Sequence, residues 1–166
     1  LINVYAMSLV PSIPALESAN SGNHIQITKV IPSNLETLIT TSVDGFQSTG
    51  RSTDLLGLLG LLAQSTAEQT QIDTVLYLAR LNGKVASSAG MAVMNGIARL
   101  YIDSVLPWAR EKGLQRLLMR ARLSDAVKMS CNLATSRLSR EHRVLLMLSG
   151  LDSTSLIRPV AVTALP

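Results

Sequence analysis

Apolar residues in this chain recur mostly at helical spacing, in blocks separated by Gly, Pro and Asn. The first ordered signal is an exception. His24-Ile25-Gln26-Ile27-Thr28 alternates polar and apolar with a period of two, which predicts a short strand closed by Pro32. Ser33 stands three residues before Glu36, the spacing of a capping box, and Leu35, Leu38 and Ile39 share a face. A helix is therefore expected over 34–44, with Gly45 as its stop.

Leu55, Leu58, Leu59 and Leu62 make an i, i+3, i+4, i+7 stripe behind a Ser52 or Thr53 cap, with Leu56 and Leu61 adding apolar groups around it, so this helix is expected at the centre of the core. Ile72, Val75, Leu76 and Ala79 predict another, stopped by Asn82-Gly83. The longest helix is expected over 85–106, where Ser88, Ala92 and Gly96 form a ridge of small residues and Arg99 and Asp103 an i,i+4 ion pair. Pro107 ends or kinks it. Leu114, Leu117, Leu118 and Ala121 then make an inward stripe that leaves Arg116 and Arg120 one turn apart outside. Two more helices are expected, over 124–135 burying Val127, Cys131 and Ala134, and over 139–149 ending at Gly150.

The ends read differently. Residues 1–15 are apolar, broken by Pro11 and Pro14, and lack a basic leader, so residues 1–23 are expected to be an extended arm. Starting at Leu1, the chain is expected to be a processed product or a fragment. Residues 156–165 are β-prone apart from Pro159 and predict an edge strand or exchanged arm, pairing with the region of residues 24–30. The expected fold is mainly α: an irregular bundle of six or seven helices with at most a minor β element formed by the terminal segments. Its organisation is an arm (1–23), a helical domain (24–150) and a tail (151–166).

Composition adds a contact argument. The 166 residues suit one domain, and 47% hydrophobic content is ordinary, but 16% charged is well under the usual figure of about 25%. Apolar surface left uncovered by charge marks contacts, so a homo-oligomer or a subunit of a larger assembly is expected. The charge is also uneven. Residues 110–143 carry nine basic side chains against three acidic, whereas the residues before them hold five against seven. Lys112, Arg116, Arg120, Arg122, Lys128, Arg137, Arg140 and Arg143 are the candidate anion-binding residues, because arginine forks match phosphate oxygens. RNA or DNA is the candidate partner, through phosphate contacts rather than base stacking, since aromatics are 3% of the chain.

Reaction motifs are missing. Asn82-Gly83-Lys84 lacks the upstream glycine and following hydroxyl of a phosphate-binding loop, and neither Gly-x-Ser-x-Gly nor Gly-x-Gly-x-x-Gly occurs. One cysteine and two distant histidines predict no metal site, and no cofactor is expected. A triad of Cys131, His142 and Asp125 is conceivable, but Cys131 falls on an apolar face and is expected in the core. Residues 55–63 are too short to span a bilayer, and residues 89–109 contain Arg99 and Asp103. The single cysteine and absent glycosylation sequons favour an intracellular or virion setting. The function expected from these features is a structural assembly subunit of coat, matrix or nucleoprotein type, capsid-like and without enzyme activity. The alternative is a small helical regulator or adaptor that binds nucleic acid or an acidic protein through residues 110–143, and a cysteine-dependent enzyme comes third.

Overall fold

The alternation at residues 25–29 does give a strand, and it turns out to be one of many. The computed structural model describes residues 3–9, 24–47, 73–138 and 157–160. Its strands are β1 (Asn3–Leu9), β2 (Ile25–Lys29), β3 (Asp73–Leu81), β4 (Lys84–Met94), β5 (Ile97–Val105), β6 (Leu133–Leu138) and β7 (Ile157–Val160). They form one sheet in the order β2-β3-β4-β5-β6-β1-β7. Every neighbouring pair is antiparallel except β5 and β6, which run parallel. The described α-helices are α1 (Leu35–Gln47) and α2 (Leu114–Lys128).

The expected helical bundle is thus replaced by a mixed α/β sheet. The stretch read as a helix over 72–79 is β3, the long helix over 85–106 is the β4–β5 hairpin, and the helix over 124–135 is split between the end of α2 and β6. The cause is burial on both faces. Tyr77 of β3 bonds Asp125 of α2, and its register partner Ala89 shares that face. On the next pleat Ser88 turns the other way and bonds Ser42 of α1 at 2.8 Å. A strand covered by a helix on each face reads as a continuous apolar run, and such a run satisfies a helical template as easily as a strand template.

The turns carry the missing clue. Asn82 and Gly83 have φ of 51° and 79°, and Asn95 and Gly96 have 51° and 74°. Two left-handed residues in succession make the two-residue hairpin turn that suits the twist of paired strands. Asn82-Gly83 therefore joins β3 to β4 instead of stopping a helix, and Gly96 sits in a turn instead of on a ridge. Asp103 pairs with Arg122, not with Arg99.

Helix α1 lies where its sequence predicts, but it runs through Gly45. Its entry is a 3-10 turn, Pro32–Asn34, in which the Asn34 side-chain oxygen accepts the Ile31 N–H at 2.8 Å, so Asn34 and not the Ser33–Glu36 box does the capping. Gly45 is needed inside the helix because a Cβ there would collide with the Ser104 hydroxyl. That close approach is fixed by Ser104 donating to the Thr41 carbonyl at 3.3 Å and Ser87 donating to the Ser104 carbonyl at 2.6 Å.

Helix α2 covers the opposite face. Leu114, Leu118, Leu123 and Ala126 pack with Ala79, Ala89, Met91 and Leu100 in the main core, which Cys131 joins. Residues 3–9 pair with β6, from Asn3↔Leu138 to Ser8↔Leu133, and β7 pairs with β1. Residues 25–29 pair with β3, not with the C-terminal tail. The helices expected over 52–62 and 139–149 lie outside the described residues. No described helix is long and apolar enough to cross a membrane.

Candidate functional site

Strand β5 follows its two neighbours unequally. With β4 its register holds from Met94↔Ile97 to Ser87↔Val105, but with β6 only from Ile97↔Leu133 to Leu100↔Ser136. Strand β6 stays paired with β1 as far as Leu138. The sheet is therefore two half-sheets, joined where β5 and β6 begin and parted beyond Leu100 and Ser136. Strand groups point alternately left and right, so the parting leaves β5 backbone N–H and C=O groups facing the gap without ladder partners in β6.

A bulge lies at the parting. Gly90 faces Tyr101 and Ser88 faces Ser104, so β5 uses one more residue than β4 over the same span. The extra residue bends the strand. Ile102 takes φ of 53°, a left-handed conformation that costs a β-branched residue about 1–3 kcal/mol. Arg122, fully buried on α2, reaches into this irregularity. Its Nη1 donates to the Gly90 carbonyl at 3.2 Å and the Tyr101 carbonyl at 3.4 Å, its Nε to the Leu118 carbonyl at 3.3 Å, and its Nη2 to Asp103 Oδ1. Asp103 is the described carboxylate on the parted segment, and its side chain is 32% exposed.

Tyr101 marks the start of the gap. Its ring packs over Gly90, where a Cβ would lie 2.8 Å from a ring carbon. Burial raises its phenol pKa, while a hydrogen bond with Thr74 of β3 works against the rise. Two strand spacings of about 4.8 Å separate β3 from β5, so that hydroxyl is turned away from the gap.

After β5 the chain passes through the 3-10 turn Pro107–Ala109, then Glu111 at φ 62° and Gly113 at φ 80°, into α2. Gly113 is the helix N-cap, with no side chain to bond the first amides, and the first turn holds no acidic residue. The first bond into the helix is Leu117 N–H to the Gly113 carbonyl at 3.1 Å, so the amides of Leu114, Gln115 and Arg116 lack helical acceptors. Lys112, Arg116 and Arg120 are exposed around them. Trp108 is 45% exposed, with Lys84 Nζ 4.8 Å from its ring centroid.

The sequence-nominated basic residues do not form one face. Lys112 and Arg116 lie at the start of α2 and Arg120 near its middle, whereas Lys128 lies at its far end, 3.3 Å from Asp125. Arg122, expected outside, is buried and paired. Arg137 lies in β6 opposite Val4, and Arg140 and Arg143 fall outside the described residues. Sequence reasoning missed Asp103 as a site residue and Gly113 as a cap. A Gly immediately before an apolar-periodic run was the available sign for the second.

The conceivable cysteine triad is not assembled. Cys131 is 6% exposed and burial pushes its thiol pKa up, which disfavours the nucleophilic thiolate. Asp125 instead accepts from the Tyr77 hydroxyl at 2.9 Å and pairs with Lys29 at 2.9 Å. Burial alone would raise the Asp125 pKa, but the bonds from Lys29 and Tyr77, the Lys29 charge and the bond from Lys128 together hold it below the ordinary carboxylate value. His142 lies outside the described residues. Among those described, no three His, Cys, Asp or Glu side chains gather to hold a metal.

No family model matches the chain, and no curated protein matches its sequence. Solved structures do match its fold. A GCN5-related N-acetyltransferase from Kribbella flavida shares 16% identity over 87% of this chain and 52% of its own, with a TM-score of 0.55. An acetyltransferase of the GNAT family from Novosphingobium aromaticivorans shares 12% over 95% of this chain and 60% of its own, at 0.59. A GNAT family acetyltransferase from Brucella melitensis, solved in complex with acetyl-CoA, shares 16% over 86% of this chain and 92% of its own, also at 0.59. The chain thus spans between half and two-thirds of the first two proteins. At such identities the likeness establishes the fold. It overturns the expected capsid-like assembly subunit without enzyme activity, because the architecture is that of the GNAT acetyltransferases, an enzyme fold.

Proposed function

We propose that this chain binds an acyl-coenzyme A and transfers its acyl group to an amine, in the gap between β5 and β6. The observation that carries the reading is the parting of these strands at the Ile102 bulge, directly upstream of an uncapped helix start, within a GNAT fold. The two features suit the two halves of such a ligand. A slot lined by β5 backbone that has no ladder partner in β6 accepts an extended amide-bearing arm as a strand would be accepted. Free amides at the positive end of α2 accept a diphosphate.

The residues present fit that anion. The two described helices differ at their starts: α1 has Glu36 in its first turn, whereas α2 has no acid there and no side-chain cap. Lys112 and Arg116 put positive charge at the positive pole of α2, where it repels the helix dipole unless an anion is present. Gly113 keeps the approach open, since nothing lies within 4 Å of its absent Cβ and its φ excludes most other residues.

When bound, the thioester supplies an activated acyl group, whose bond to sulfur breaks as its bond to the amine nitrogen forms. The amine must shed a proton, and in this reading the Asp103 carboxylate receives it, directly or through one water. Arg122 orients that carboxylate through its Nη2 bond to Oδ1. Backbone N–H groups of the parted segment are the candidate donors to the carbonyl oxygen as it gains charge. Of the basic residues nominated from sequence, Lys112 and Arg116 become phosphate contacts, with Arg120 one turn further along.

Calorimetric titration with acetyl-CoA and coenzyme A, followed by a thiol-release assay over a panel of amines, tests this. Expected are a dissociation constant in the micromolar range, weakening as salt rises, and a further loss of about tenfold on Lys112→Glu with Arg116→Glu. Absence of binding at about 1 mM ligand would refute the reading.

A further inference from the structure

An apolar side chain would pack at position 122 without burying a charge, yet the chain places a guanidinium there. Burying a cation is costly unless it is paired and its donors are used. Here four bonds do this, and the acceptors are chosen. Gly90 and Tyr101 are the register partners that close the regular part of the β4–β5 ladder, Asp103 lies within the bulge, and Leu118 anchors the fork to α2. One planar group thus holds β4, the β5 bulge with the residue that precedes it, and α2 in fixed relation.

We propose that Arg122 is a positioning residue: it holds the bulge in its left-handed form at Ile102, and so sets the opening between β5 and β6 and the direction of the Asp103 carboxylate. Its effect on turnover rests on the acyl-transfer reading above; its effect on the bulge does not. Lysine cannot substitute, because three donors on one atom cannot reach four acceptors spread around a plane.

The decisive variant is Arg122→Lys, which keeps the charge and is more apt to fold than Arg122→Met. Three measurements are made on it and on the wild type. Hydrogen exchange of the amides at residues 101–105 should speed up at least about tenfold, with residues 25–29 and 77–81 unchanged. The kcat/KM for acetyl-CoA should fall by at least about tenfold. Affinity for 3′-phospho-ADP, the part of coenzyme A without its pantetheine arm, should stay within about twofold of wild type, because it needs only the start of α2.

A merely structural arginine would weaken the fragment and the whole ligand alike and would loosen the sheet throughout, which overturns the proposal. Wild-type exchange at residues 101–105 also overturns it. Should the wild type bind neither acetyl-CoA nor the fragment, the acyl-transfer reading fails, and local exchange alone then decides the role of Arg122.

Discussion

Replacing Tyr77 by Phe isolates one of the two bonds by which Asp125, near the far end of α2, is held to the sheet. Tyr77 is 1% exposed, and its hydroxyl donates to Asp125 Oδ2 at 2.9 Å. Phenylalanine fills the same space and leaves no orphan, because Asp125 keeps Lys29 at 2.9 Å and Lys128 at 3.3 Å. The loss is therefore that of one hydrogen bond to a charged acceptor, at the low end of its range, about 1.5 kcal/mol. For a chain of this length that lowers Tm by about 3–6 °C. Asp125 lies eleven residues along α2 from Leu114, about 16 Å at helical rise, so ligand affinity at the helix start should not move.

The pH dependence makes the test sharper. The folded-state pKa of Asp125 is depressed, so its contribution is complete above the unfolded value of about 3.9 and is lost as pH falls through the folded value. Tyr77→Phe removes one of the causes of that depression, so the variant has less to lose in acid. The pKa of Tyr77 itself is raised, first by burial and then by Asp125, so its contribution is complete below about pH 10 and is lost as pH rises further, as the unfolded phenol ionises. The stability gap between wild type and variant should be widest from about pH 5 to 9 and should narrow at both extremes. Thermal unfolding followed by circular dichroism at about pH 3, 7 and 10.5 measures it. A variant as stable as wild type at pH 7, or a gap that widens in acid, would refute the reasoning.

Two further outcomes follow from particular residues. Gly113→Ala meets nothing within 4 Å, so its cost is conformational, about 1–2 kcal/mol for a left-handed alanine at φ 80°, together with weaker acetyl-CoA binding; an unchanged Tm in calorimetry would contradict this. Cys131 should not react with a thiol reagent in the native state and should label at the rate of unfolding, since it is buried with a raised pKa; complete labelling of folded protein within minutes would show that it is accessible.

How much could be read from the sequence depends on whether an element is covered on one face or two. Strand β2 lies at the edge of the sheet with burial that alternates in part, and its period of two was legible. Strand β4 lies between two helices and β3 beside it is buried from Tyr77 to Ala79, and their consecutive apolar and small residues gave helical stripes by density alone. Ser88 and Ala92, read with Gly96 as a helix ridge, lie with Gly90 along one pleat: Ser88 meets Ser42, and Gly90 makes room for the Tyr101 ring. The two Asn-Gly pairs were the local signal that outranks such stripes, because each supplies the two left-handed positions a tight hairpin needs. The bulge at Ile102 and the inward turn of Arg122 have no sequence signature, since each exists only through partners far along the chain.

The basic excess of residues 110–143 is plain in the sequence, and its distribution in space is set by the fold. Nine cations between residues 110 and 143 suggested a broad polyanion face, but the fold divides them. Arg122 is consumed in the bulge and Lys128 in the Asp125 cluster. Lys112 and Arg116 are left at the one pole of α2 where cations do not stabilise the helix, with Arg120 one turn further along. A helix that only had to be stable would carry an acid there, as α1 shows with Glu36. Cations at the positive pole and a bare glycine cap make sense together when the missing negative charge arrives with a ligand. That constraint favours a compact anion at one helix start over a polymer laid along a face, and in the proposed reading the anion is the diphosphate of the ligand.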